Sequence, residues 1–275
     1  MSDHHAPRSL IVTFYGAYGR GTVGRPAGPV PVAALIRLLG SVGVDPPSVR
    51  SAVSRLKRRG LLLPDRTASG AAAYGLSDAA RQLLDDGDRR IYGRPAARSR
   101  GGWLLAVFSV PEEERHKRHL LRSRLSRLGF GTAAPGVWIA PAHLYDETRH
   151  TLERLQLSPY VDLFRGAHAG FEPTAHAVSR WWDLGRLAAL HHSFLDVHEP
   201  VLRHWSRRRS ADPQQAYRDY LLALDSWRRL PYADPGLPSA LLPADWPGLR
   251  AARVFTALHA RLRDVGARYA EAHLH

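Results

Sequence analysis

The chain of 275 residues has no cysteine, one methionine and only two lysines, Lys57 and Lys117. The missing cysteine excludes disulfides, thiolate zinc sites and cysteine nucleophiles. No apolar run approaches the roughly 20 residues needed to span a bilayer. Met1–Pro7 is polar where a signal peptide needs an apolar stretch. The expectation is a soluble, cytoplasmic protein without membrane association. Signatures of chemistry are missing too: there is no H-E-x-x-H, no G-x-S-x-G, no Walker A loop and no kinase signature. Of the 15 histidines, only His116/His119 and His191/His192/His198 form tight groups, and neither has carboxylates at zinc spacing. His4, His5, His273 and His275 are terminal and read as solvated. Carboxylates are scattered, so nothing nominates an acid–base pair. No catalytic residue, metal or cofactor is expected.

Acidic residues are also in deficit, 25 Asp+Glu against 39 Lys+Arg, a formal net charge of +14 carried almost wholly by arginine. That balance points to a polyanionic partner. Its distribution is uneven. Residues 1–96 carry 14 basic and 7 acidic residues, residues 97–176 carry 11 and 8, and residues 177–275 carry 14 and 10. Half the surplus lies in the first third, where Val49–Gly60 holds Arg50, Arg55, Lys57, Arg58 and Arg59 and no acid. Like charges this dense on one short helix are destabilising unless a polyanion or solvent takes them up.

The first ninety residues read as a winged helix-turn-helix. Ser9–Gly16 is an apolar run, and Pro31–Gly43 has Val32, Leu35, Ile36 and Leu39 at helical spacing. Asp45-Pro46-Pro47 is a helix start, a capping acid followed by prolines whose missing N–H does no harm there. The next helix places Val49, Ala52, Val53 and Leu56 on one face. Ser48, Ser51, Arg55 and Arg58 fall opposite, with Arg50, Ser54 and Lys57 at the margins. Gly60 stops it. Leu61–Pro64 and Ala72–Leu76 read as two strands around a polar tip, Asp65–Gly70.

A second motif competes for this region. Gly19-Arg20-Gly21-Thr22-Val23-Gly24, with Asp45 further on, matches a dinucleotide-binding fingerprint. That fingerprint needs a helix to begin inside the motif, with its amides on the pyrophosphate. Pro26, Pro29 and Pro31 delay any helix, so Gly16–Pro31 is read as a flexible surface loop between the first two helices.

The middle segment runs strand (Trp103–Val110), helix (Glu112–Leu128, with Leu121, Leu125 and Leu128 apolar), strands (Phe130–Thr132 and Val137–Ala140 around Pro135-Gly136), helix (His143–Leu157) and strand (Tyr160–Arg165). This βαββαβ order is ferredoxin-like, a fold that does not choose a function. The last hundred residues read as helical. Asp212-Pro213-Gln214-Gln215 is a helix start with a capping box, Pro231–Pro247 is a rigid irregular connector with five prolines, and Phe255, Leu258, Leu262, Val265 and Tyr269 form one stripe of a final helix. That stripe, and the tryptophans Trp181, Trp182, Trp205, Trp227 and Trp246, read as core rather than as a partner seam or ligand pocket.

Four blocks together resemble the PaaX-type transcriptional regulators of phenylacetate degradation. Ser9–Gly16 and Val49–Gly60 resemble the family's winged helix. Arg89-Arg90-Ile91-Tyr92-Gly93 resembles the segment after it. Trp103–Pro141, with Gly129-Phe130-Gly131 and Pro135-Gly136-Val137-Trp138-Ile139, resembles the middle domain. Ala216–Gly248, through Trp227-Arg228-Arg229-Leu230-Pro231, Asp234-Pro235-Gly236-Leu237-Pro238 and Asp245-Trp246-Pro247-Gly248, resembles the C-terminal signature. The resemblance implies a homodimeric repressor that binds a palindromic operator. A small effector, such as phenylacetyl-CoA or another aryl-acyl-CoA thioester, would release it. The middle domain is also similar to the small ferredoxin-fold nuclease of CRISPR adaptation, which carries a metal-binding Asp at the end of its first strand. No Asp stands near Phe108-Ser109-Val110, and the nearest acid, Glu112, lies beyond Pro111.

The expectation is therefore an α+β, non-enzymatic chain with three parts. Residues 1–96 form a winged helix that binds DNA. Residues 97–176 form a ferredoxin-like domain for dimerisation or scaffolding, and residues 177–275 a helical, effector-responsive domain. DNA contacts are assigned to Ser48, Arg50, Ser51, Ser54, Arg55, Lys57 and Arg58 on the basic helix and to Arg66 and Ser69 at the wing tip. Arg suits guanine edges and phosphates, and Ser allows close approach. The effector-binding residues stay unassigned. Two other readings stand beside it, a metal-dependent nuclease using Glu112 and a non-specific nucleic-acid-binding protein.

Overall fold

In a computed structural model, residues 5–22, 25–26, 28–93, 101–208, 210 and 212–274 are described. Val23 and Gly24 of the glycine motif, the terminal His4 and His275, and the expected domain boundary at 96/97 lie outside them. Packing gathers the chain into two units, one comprising Met1–Ile91, Ser193–Arg228 and Arg250–His275, the other Tyr92–His192 and Arg229–Leu249. Residues 177–275 thus contribute to both.

The first unit begins with α1 (Pro7–Phe14), whose proline sits in the first turn. One turn of π-helix, Tyr15–Gly19, follows, then a tiny antiparallel hairpin of β1 (Gly21–Thr22) and β2 (Arg25–Pro26). Where it is described, the segment Gly16–Pro31, expected as a flexible loop, therefore carries local structure. Its cause is visible at Arg20, which bonds the Gly16 carbonyl at 3.2 Å and pairs with Asp85 and Asp88. Those acids belong to α4 (Asp78–Ile91), a helix that the sequence reading did not register. Partial burial raises the Asp88 pKa, and Arg20 opposes that rise.

β3 (Val30–Pro31) leads into α2 (Val32–Gly40), and α3 (Pro46–Arg58) follows. β4 (Leu62–Arg66) and β5 (Ala72–Leu76) make the wing, in register from Leu62↔Leu76 to Arg66↔Ala72. β3 adds a third strand through Val30↔Tyr74, giving the order β3-β5-β4. Leu10, Ile11 and Phe14 of α1, Leu35 and Leu38 of α2, and Val49 and Leu56 of α3 share one core. That core also takes in Tyr217, Leu221 and Ala270. The last three come from α9 (Pro213–Trp227) and α11 (Gly248–His273), so distant helices complete the winged-helix core.

Asp212 caps α9 by accepting from the Gln214 N–H at 3.1 Å. The reciprocal half of the expected capping box is not made, because Gln215 turns to Asp219 at 3.0 Å. Asp219 also accepts from the indole of buried Trp205, 2.8 Å away. In α11, Phe255, Leu258 and Leu262 are buried and Phe255 stacks on Trp227 at 4.8 Å, so the stripe is core.

In the second unit β6 (Trp103–Phe108), α5 (Arg115–Leu128, entered through a 3-10 turn at Glu112–Glu114), β7 (Gly131–Ala134), β8 (Val137–Pro141), α6 (Tyr145–Arg154) and β9 (Val161–Gly166) form the expected βαββαβ order. The sheet order β7-β8-β6-β9, antiparallel throughout, is that of a ferredoxin-like fold. One face buries Leu104, Ala106 and Trp138 against Leu121 and Leu125 of α5 and Leu152 of α6. On the other face Trp103 and Ile139 meet Val178 of α7 (Thr174–Trp181), Trp182, and Leu187 from the start of α8 (Leu184–Ser206).

Gly129-Phe130-Gly131 shows why two glycines are required. Gly129 ends α5 at φ +93°, and an added Cβ would lie 2.9 Å from Pro235. At Gly131 it would lie 2.5 Å from the Trp181 carbonyl oxygen. The Pro231–Pro247 segment is not wholly irregular. It overlaps a short helix, α10 (Leu230–Ala233), and contains a 3-10 turn at Ser239–Leu241. Buried Asp234 fixes it, accepting from the Gly236 N–H and meeting His191 Nε2, both at 2.8 Å.

Candidate nucleic-acid interface

The candidate interface is α3 with the wing. The Asp45 carboxylate accepts from the Ser48 N–H at 2.9 Å, and Pro46 and Pro47 occupy the first turn. Hydrogen bonding from Ser48 holds the Asp45 carboxyl below its usual range. Val49, Ala52, Val53 and Leu56 are buried at 3% exposure or less, which pins the rotation of the helix. At the far end Gly60, at φ +68°, lets the Leu61 N–H return to the Leu56 carbonyl at 3.0 Å.

With that face buried, Arg50, Ser51, Ser54, Arg55, Lys57 and Arg58 are all exposed. Among the described residues none of these four cations has an acidic partner. Arg50 and Arg58 are separated by about 12 Å of helix rise, a length that fits a major groove. Ser48 differs from the others: it is half-buried and its N–H serves the cap. Arg59, which the sequence reading counted in the cluster but left out of the contacts, is exposed at the helix end and extends the patch. Its adjacency to Arg58 was the available signal.

At the wing the strands run to Arg66↔Ala72, so Asp65 and Arg66 lie in β4 and the turn proper is Thr67–Ala71. The turn is closed internally. Thr67 N–H donates to the Ala71 carbonyl at 2.9 Å, and the Ala71 N–H donates to Thr67 Oγ1 at 3.0 Å. Both wing candidates are exposed and held by the turn: Arg66 donates to the Gly70 carbonyl at 2.8 Å, and Ser69 Oγ lies 2.8 Å from Thr67 Oγ1. A ligand would have to compete with these bonds.

Behind α3, α1 is tied to α9 by a polar cluster. Asp225, fully buried, accepts from Thr13 Oγ1 at 2.8 Å and Ser9 Oγ at 2.5 Å, and lies 2.9 Å from His5 Nδ1. Burial alone would raise its pKa, but the bonds from His5, Ser9 and Thr13 outweigh that and hold the carboxyl below the usual range. Buried His198, 2.9 Å from Ser226 Oγ, has its pKa pushed down to about 4 by burial and secondarily by His5.

The nuclease candidate is placed differently. At the end of β6 the Ser109 N–H donates to the Tyr160 carbonyl. Glu112 is exposed and pairs with Arg118 at 3.1 Å. Glu114 is bonded by Lys117 at 2.8 Å and by the Tyr160 hydroxyl. Among the described residues no three His, Cys, Asp or Glu side chains gather where they could hold a metal ion. No described helix is long and apolar enough to cross a membrane.

Comparison with known proteins agrees with this architecture. Three family models match in succession: PaaX-like protein at residues 6–80, PaaX protein central Cas2-like domain at 96–178, and PaaX-like protein C-terminal domain at 182–272. The chain is 26% identical over 265 residues to the transcriptional repressor PaaX of Escherichia coli (strain K12), covering 92% of this chain and 79% of that one. The uncharacterized protein Rv0674 from Mycobacterium tuberculosis superposes with a TM-score of 0.60 over 98% of this chain and 99% of its own, at 23% identity, a likeness of fold. The chain belongs to the PaaX family.

Proposed function

We propose that this protein is a DNA-binding transcriptional repressor, acting as a homodimer on a palindromic operator. The observation that carries the reading is the acid-free outer face of α3, held by a buried stripe and a capped start, in a chain similar to a repressor. In this reading α3 enters the major groove. Arg50, Arg55, Lys57 and Arg58 meet phosphates and base edges, with Ser48, Ser51 and Ser54 beside them. Arg66 and Ser69 approach the backbone or minor groove from the wing. Residues 97–176 supply dimerisation, and residues 177–275 respond to an effector, an aryl-acyl-CoA thioester such as phenylacetyl-CoA. Effector binding releases the operator by favouring a dimer whose two recognition helices no longer match the half-sites.

The test is binding to duplexes tiling the promoter region upstream of its own reading frame. A repressor prefers one segment over unrelated duplex by ~10³ or more. In Arg55→Ala/Arg58→Ala, checked for folding by circular dichroism, the slope of log affinity against log salt drops by about 2 if both contact phosphate. Equal affinity for all duplexes, or an unchanged slope, refutes the assignment. Thermal shifts with phenylacetyl-CoA and other acyl-CoA thioesters, and light scattering for the dimer, test the remaining parts.

A further inference from the structure

We propose that α5 carries a second, sequence-independent binding surface for the phosphate backbone of duplex DNA. The helix holds six Arg and Lys residues and no acid. Two of these cations are engaged at its start, Lys117 with Glu114 and Arg118 with Glu112. Arg115, Arg122 and Arg127 are exposed, and among the described residues no acid pairs with any of them. The rotation is fixed by Leu121, Leu125 and Leu128, which are buried under the sheet. Arg115, His119, Arg122 and Ser126 then form a row at i, i+4, i+7 and i+11 along one flank of the outward surface, and Arg127 lies about 120° round the helix from Arg115 on the other flank, with exposed Ser123 between.

Arg115 to Arg127 spans about 18 Å of helix rise, several times the ~3.4 Å between successive phosphates along a strand. Like charges one turn apart, Arg118/Arg122 and Arg124/Arg127, cost stability when nothing meets them, and the exposed serines Ser123 and Ser126 allow close approach of a backbone. The surface is the outside of a helix, whereas small ligands are held in concave sites. It presents no large exposed apolar side chain, which a protein interface would need at its centre. An extended polyanion satisfies both conditions.

The proposal does not depend on operator recognition, because it is measured on duplexes of arbitrary sequence. The experiment compares the full-length protein with Arg115→Gln/Arg122→Gln/Arg127→Gln and with the triple Lys variant, after circular dichroism shows the same fold and melting. The Gln variant is expected to lose ~2.7 from the salt slope on any duplex, at ~0.9 per phosphate contact. Raising salt from about 50 to 200 mM then weakens the wild type about fortyfold more than the variant. The Lys variant keeps the wild-type slope, and any preference for a specific duplex is unchanged in both. An unchanged slope in the Gln variant overturns the proposal. So does a Lys variant as impaired as the Gln variant, or a loss confined to single-stranded RNA. Absence of any preferred duplex would remove the operator reading and leave this one standing.

Discussion

Replacing Asp225 by alanine should loosen the anchor of α1. The carboxylate is fully buried and gathers three donors, from His5, Ser9 and Thr13. Hydrogen bonds to charged groups contribute ~1.5–3 kcal/mol each, and a buried donor left alone costs ~1–3 kcal/mol. These terms do not add. His5 has part of its surface in water and can be solvated when its partner goes, whereas Thr13, at 2% exposure, cannot. Counting the Thr13 bond in full and the other two in part gives a loss of about 3 kcal/mol. For a unit of about 150 residues that corresponds to a fall in Tm of roughly 6–12 °C. The assay is thermal unfolding of the full chain at pH 7, followed by circular dichroism. The pH dependence has a definite sign. Because the folded carboxyl sits below its unfolded value, its contribution is complete above about pH 4 and is lost as pH falls through the folded pKa. Wild type and variant should therefore differ at pH 7 and converge in strong acid. A variant melting within ~2 °C of wild type at pH 7 would mean that the cluster does not hold α1 to α9.

Three other outcomes can be measured. His198 is neutral in the fold down to about pH 4, while the unfolded histidine takes a proton near 6.5. Acidification from pH 6.5 to 4 should thus cost about 3 kcal/mol of stability, and His198→Gln should flatten that part of the Tm–pH curve. Gly129→Ala forces a side chain into the left-handed region and against Pro235. It should destabilise by about 2–3 kcal/mol, seen as a lower urea midpoint, and an unchanged midpoint would contradict the packing described. Trp227→Ala removes the stack on Phe255 and the indole bond to the Ile91 carbonyl. A loss of about 3–5 kcal/mol is expected, against Trp227→Phe, which should recover much of it.

The sequence was most legible where its signals were local and agreed. Asp45, two prolines, the Val49–Leu56 stripe and Gly60 each mark the same helix, and the structure places α3 within a residue of that reading. The βαββαβ order was legible for the same reason, as apolar strand runs alternate with a leucine-faced helix. Elements held by distant partners were not. β3 is two residues long and exists through its pairing with Tyr74 and Ala73. The π-turn and hairpin after α1 are steadied by Arg20 reaching Asp85 and Asp88. α4 is rich in Asp and Arg, and few of its side chains are buried, so its apolar signal was weak. At the candidate interface, the basic helix and wing were readable from charge and order. The internal bonds of Arg66 and Ser69 were not, because they follow from the turn's geometry. The charge on α5 is hidden by the acids that precede it in the chain. Glu112, Glu113 and Glu114 offset the arginines in the segment total, although Lys117 and Arg118 neutralise two of those acids where they stand.

The tie between His5 and Asp225 joins residues 220 positions apart, and it bears on how the molecule is made. On the ribosome the winged helix emerges early, but Tyr217, Leu221 and Ala270, which share its core, emerge last. Until they do, the apolar side of α1 that they cover has only solvent or a chaperone to meet it. A fragment ending at Ile91 would carry the full recognition helix and still lack part of its own interior. Such a fragment should aggregate or bind weakly even with every DNA-facing residue intact. Attempts to isolate the DNA-reading module should therefore keep the C-terminal helices, and nonsense mutations late in the gene should behave like deletions of its beginning.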